Sequence, residues 1–340
     1  MRPPGRLIPL HKLAGQRPIG PAQKDGGGIR AVMGHPNRDR LTRTPEGMSV
    51  PDQPMEADRP TTPATGGAAL QPPCVDLVTV AAVAVVVYTF SSILHEALGH
   101  GLTCVLLGGK VACIASTVCI PAGEPLGQGA DRLVAAAGSA MNLVAAGVCW
   151  VLLRRLRTAP PFLRYFLWLS LAVNGFIGAG YLAVPTLIGF GDWMNVLEVL
   201  HSYWLWRATI IGLGVVLYGA VAYVAVRELQ PFLSRDASER RSRATKLTLI
   251  PYLAGGLAFC AAGLFNPVGM KLVVISAAAA SFGGTSGLAW LTWWATGTAS
   301  EGQTPEPPVA LGRNWWWLVL GIANAAVLLG LLGRGVRFGP

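Results

Sequence analysis

Seven apolar stretches, each about as long as one helix needs to cross the hydrocarbon core of a bilayer, decide most of what this 340-residue chain can fold into. They lie at about 76–104, 131–153, 162–188, 204–226, 247–266, 270–296 and 314–333. A backbone in lipid has no water to bond, so segments of this length pair their own polar groups as helices. With 52% hydrophobic and 13% charged residues, the expectation is an all-α fold, a polytopic transmembrane helix bundle of six or seven helices. The count turns on residues 273–296, where the centre SFGGTSG would kink or break a helix.

Residues 1–73 scatter Pro, Gly and Arg without a hydrophobic period and read as a disordered tail. They lack the compact regions of a signal peptide, and Met33 or Met48 would serve equally well as the start. The net charge of +10 comes from this tail and from two loops, 154–157 and 235–246. Basic loops beside membrane helices set topology and meet anionic headgroups, which argues for the lipid bilayer and against nucleic acid as a partner. An integral, multi-pass protein of the cell membrane is expected. Trp193, Trp204, Trp206 and the tryptophans at 315–317 read as interfacial anchors. None of the six cysteines forms a Cys-x-x-Cys pair, although Cys113 and Cys119 share one loop and would bridge if it faced an oxidising compartment.

Chemistry enters with HEALGH at 95–100, inside the first apolar stretch. Ionisable side chains are costly among lipid-facing residues, so His95, Glu96 and His100 together mark a functional site. Histidines four apart stand about 40° from each other on an α-helix and reach one metal; five apart, as here, they stand about 140° apart. One solution is a π-turn that absorbs the extra residue, eased by Gly99 and Gly101. Another has Glu96 and His100, themselves four apart, share the metal.

The stretch HEALGHGLTCVLLGGKV at 95–111 resembles the first signature segment of the site-2 protease family of intramembrane zinc metalloproteases, with one residue inserted between the histidines. The same spacing occurs in the motif HELLGH of the soluble dipeptidyl peptidase III family. Gly138-Ser139-Ala140-Met141-Asn142-Leu143 is similar to the small-residue and asparagine segment of the next helix in site-2 proteases. Their third zinc ligand is an aspartate of a later helix, usually in an Asn-Pro-x-x-x-x-Asp-Gly pattern. That pattern is absent here, and Asp192 in GFGDW takes the place, with Glu198 and His201 as substitutes. The resemblance covers about residues 80–200. It implies a metalloprotease-like core of three helices at 74–200, followed by additional transmembrane helices at 201–340.

The resemblance implies one Zn2+ per chain, held by His95, His100 and Asp192, with an open position for water. Glu96 would be the general base, and Asn142 and Asn174 would bond the oxyanion or the substrate backbone. The substrate would be a membrane protein or peptide cut in or near the membrane. The positive-inside rule puts the N-terminus and both basic loops in the cytosol and HEALGH towards the outer half, whereas site-2 proteases carry their motif on a helix of the opposite direction. The competing expectation is a non-catalytic transporter or metal-binding scaffold that uses the same three residues for an ion or for protons. No internal repeat of the transporter kind is visible.

Overall fold

The computed structural model describes residues 74–198, 200–265, 277–297 and 308–339; the tail at 1–73 and the first part of the sixth apolar stretch, 270–276, lie outside them. Six of its helices are long and apolar enough to cross a membrane: Leu77–Leu106, Gln128–Arg155, Pro161–Ile188, Tyr203–Phe232, Ala237–Gly263 and Trp315–Leu332. The protein is a multi-pass, all-α membrane bundle. The first span is α1 (Leu77–Ser92), a π-helical segment Ile93–Gly101 and α2 (Leu102–Leu106). Then come strands β1 (Lys110–Ile114) and β2 (Cys119–Ala122), α3 (Gln128–Arg155), α4 (Pro161–Ile188), the short α5 (Asp192–Leu197) and α6 (Tyr203–Leu229). The chain ends in α7 (Ala237–Gly263), α8 (Gly287–Gly297), α9 (Trp315–Ala326) and β3 (Val336–Arg337).

The sixth apolar stretch breaks where its glycines predict. A π-helical piece, Ala279–Gly284, ends at Thr285 and Ser286 before α8 starts afresh. Backbone groups freed at such a break need partners in lipid. Tyr218 supplies them: its hydroxyl donates to Gly284 O at 3.1 Å and accepts from Gly287 N at 2.7 Å.

The centre of the bundle is α4, packed against α3, α6 and α1. Its small residues admit close neighbours: a Cβ at Gly178 would sit 2.7 Å from Leu143, and one at Gly175 would sit 2.8 Å from Val221. Its large ones fill the interior, where Tyr165, Trp168 and Phe176 are fully buried. The polar tips of two of them bond helix carbonyls, Trp168 Nε1 to Ala225 O and Tyr165 Oη to Leu247 O, both at 2.9 Å; the second carbonyl lies four residues before Pro251, which has no N–H to give it. One buried apolar cluster runs from Val75 to Leu332, so the later helices share a core with the first three. Large apolar side chains remain exposed outside, such as Leu187, Ile188, Val216 and Ile322. In a membrane that surface faces lipid.

Both basic segments lie at the end of the bundle away from HEALGH. Arg154 closes α3 with an ion pair to Glu228 at 2.9 Å, and Arg243 bonds Phe232 O and Val309 O. Two of the arginines expected to meet headgroups are buried instead: Arg240 is 7% and Arg243 is 3% exposed. Arg240 donates twice to Ala295 O, at the end of α8, as charged donors do when they satisfy helix-terminal carbonyls.

At the opposite end, the loop after the first span folds into a small antiparallel sheet in the order β2-β1-β3, a feature that the helical reading of the sequence does not contain. The C-terminal strand is its third member, Val336 facing Ile114 and Arg337 facing Cys113. Cys113 pairs in register with Ile120, and Ile114 with Cys119; both cysteines are free thiols.

Candidate metal centre

The motif lies on the π-helical segment Ile93–Gly101. In a π-helix the backbone bonds run from i to i+5, so residues five apart stack over one another as residues four apart do on an α-helix. The five-residue spacing therefore puts both imidazoles on one face. Gly99 makes room for the widened turn: a Cβ there would lie 2.6 Å from Gly138 Cα, so the motif backbone rests directly on α3.

Each histidine is oriented through its Nδ1. His95 Nδ1–H donates to Asn142 Oδ1 at 2.6 Å, and His100 Nδ1–H donates to Val134 O at 2.7 Å. Both acceptors are oxygens without a proton, so each ring, when neutral, presents an unprotonated Nε2. Both Nε2 atoms face Asp192: Oδ2 lies 3.7 Å from that of His95 and 3.4 Å from that of His100. The three ligand atoms all lie within 4.8 Å of one another.

That arrangement fits a metal ion. Ligand atoms about 2.1 Å from a tetrahedral centre stand about 3.4 Å apart, close to the separations here. Fixing Nδ1 by an amide or carbonyl oxygen is also the usual outer support of a metal-bound histidine. Asp192 is held as a carboxylate. Burial alone would raise its pKa, but the imidazoles of His100 and His95 outweigh burial and hold it well below the ordinary carboxylate range. Among the described residues this is the one group of three or more His, Cys, Asp or Glu side chains close enough to hold an ion.

Glu96 stays outside the group. It is 6% exposed and lines a cavity with His95. The alternative in which Glu96 and His100 hold a metal together is not the geometry found. Glu198 and His201, the substitutes for Asp192, are both exposed and outside the cluster.

The two asparagines are placed differently from the substrate-facing expectation. Asn142 is fully buried, its oxygen on His95 and its nitrogen donating to Asn174 Oδ1 at 2.8 Å and Ser91 Oγ at 3.2 Å. Asn174 in turn donates to Ser170 O at 2.9 Å. Their amides form a chain through the core from α4 to His95. Trp193, read as an interfacial anchor, donates its Nε1 to Ser139 Oγ at 3.0 Å and ties α5 to α3 beside Asp192.

Sequence reasoning gave no role of their own to Val134, Gly138 and Tyr181. The first two, with Asn142, fall four apart on one face of α3, a spacing visible in the sequence. Gly138 provides the space for the rings: a Cβ there would meet His100 Nε2 at 2.4 Å and His95 Nε2 at 2.6 Å. Tyr181 packs its ring 4.9 Å from that of His95, and nothing local in the sequence marks it. Compared with protein-family models, curated proteins and solved structures, the chain matches none.

Proposed function

We propose that the protein is a zinc-dependent intramembrane peptidase of the cell membrane, built on the plan of the site-2 proteases, that hydrolyses a peptide bond of a membrane-protein substrate. The observation that carries this reading is the convergence of His95 Nε2, His100 Nε2 and Asp192 Oδ2 with Glu96 held beside them but outside the ligand set. A scaffold that only held an ion has no need of a carboxylate kept beside the ligands and off the metal.

When bound, zinc would supply a Lewis acid for the scissile carbonyl and acidify water towards a pKa of about 7. Glu96 would accept the proton as water attacks and return it to the leaving amine, a task suited to a carboxylate next to His95 on the cavity wall. Asn142 holds His95 in the tautomer that presents Nε2, and Val134 O does the same for His100. In this reading Asn142 and Asn174 position a ligand rather than touch the substrate. Burial of His95, Glu96 and His100 keeps bulk water away from the reacting groups.

The test is the zinc content of detergent-purified protein, wild type beside four variants. About one zinc per chain is expected, lost in His95→Ala, His100→Ala and Asp192→Ala and kept in Glu96→Gln. Glu96→Gln should abolish cleavage of a reconstituted transmembrane substrate. Wild-type protein that takes up no zinc after reconstitution would overturn the reading, and loss of zinc in Glu96→Gln would turn it into a metal-binding scaffold.

A further inference from the structure

The cavity beside Glu96 belongs only in part to the motif. His95 and Glu96 line it together with Phe259 of α7 and Ala280 of the broken helix, which come from the part of the chain beyond the site-2 protease resemblance. Its inner space holds about two water molecules. Ile177 and Phe259 line it with bulky apolar surface, and Ala280 with a small side chain.

One polar group in this cavity is unexplained by the fold. Ser116, in the turn between β1 and β2, is 1% exposed, and its Oγ is buried with no hydrogen-bond partner among the described residues. Buried hydroxyls are almost always paired, so one left open against a cavity marks a place where a bound molecule completes the bond. Its backbone is held on both sides: Ser116 O accepts from Ser92 Oγ at 2.8 Å, and Ser116 N donates to Leu332 O at 2.9 Å.

We infer that this cavity receives the substrate side chain next to the hydrolysed bond and selects it by size, admitting alanine or serine and excluding leucine. Ser116 gives serine the advantage over alanine. The inference rests on the peptidase reading above and adds the substrate class to it. Part of the size selection comes from Phe259 of α7 and Ala280 of the broken helix, elements that contribute no ligand to the metal group.

The experiment uses zinc-loaded, detergent-purified full-length protein and four probes that bind zinc through a hydroxamate: acetohydroxamate, which has no side chain, and the N-acetyl hydroxamates of alanine, serine and leucine. Binding is read from the thermal shift, so no turnover is needed. Serine hydroxamate should bind about tenfold or more tightly than leucine hydroxamate, the scale on which a pocket separates side chains differing by a few heavy atoms. Phe259→Ala should narrow that gap by admitting leucine. Ala280→Leu should lose the serine and alanine probes while keeping acetohydroxamate, and Ser116→Ala should equalise serine and alanine. Equal binding of the serine and leucine probes by the wild type, or selectivity unmoved in all three variants, would overturn the inference and leave the peptidase reading intact. Failure of acetohydroxamate to bind the zinc-loaded protein would overturn both.

Discussion

His95 Nδ1 lies 2.6 Å from Asn142 Oδ1, a bond that spans 47 residues of sequence and fixes which nitrogen of the imidazole faces Asp192. Removing the acceptor frees the ring to turn or to change tautomer. Asn142→Leu should lower zinc affinity by about 10–100-fold, as loss of an outer partner commonly does, while Asn142→Asp, which keeps an acceptor, should lower it less. Competition with a chelator measures both, and equal affinities for wild type and Asn142→Leu would show that the amide has no part in holding the ligand.

Gly138 is where α3 gives way to the two rings. Gly138→Ala should abolish zinc binding, because the added methyl would stand 2.4 Å from His100 Nε2 and 2.6 Å from His95 Nε2. Gly147→Ala, on the same helix with nothing within 4 Å, should keep zinc, and alanine there favours the helix by about 1 kcal/mol. Zinc content and thermal unfolding, measured together, separate loss of the site from loss of the fold.

The π-helical turn makes a prediction about spacing. Deleting Leu98 leaves histidines four apart, which an ordinary α-helix puts about 40° from each other on one face. Such a protein should still take up zinc. Inserting one alanine after Leu98 should prevent it. If the deletion loses zinc while the protein stays folded, the π-turn has a role beyond registering the two histidines.

Asp76 ties the two ends of the membrane part together at the basic end. Its carboxylate accepts from Thr79 N at 2.8 Å, capping α1, and pairs with Arg313 at 2.9 Å, just before α9. Slight burial raises its pKa, but the bonds from Thr79 and Arg313 outweigh it and hold the group below its ordinary value. The unfolded carboxyl therefore binds protons more readily than the folded one. Its contribution is complete above the ordinary carboxylate range and is lost as pH falls through the lower, folded pKa. Asp76→Ala should cost about 1 kcal/mol at neutral pH, the usual value of a cap, and nothing at strongly acid pH. Thermal unfolding in detergent at the two pH values tests this; an unchanged difference would show that ionisation of Asp76 does not matter.

The membrane spans, the break near Ser281 and the metal-type character of HEALGH were all legible in the residues, because hydropathy, glycine content and ligand spacing are local properties of a chain. The five-residue spacing even carried its own remedy, a π-turn, since no other regular helix puts those histidines on one face. Local pattern could not choose among Asp192, Glu198 and His201, which lie within ten residues of one another. Packing of α5 against α3, held by Trp193 and Ser139, turns Asp192 inward and leaves the other two exposed. The same holds for Asn142, Gly138 and the C-terminal strand beside β1: each acts on residues far away in the chain, through contacts that exist only once the helices have packed.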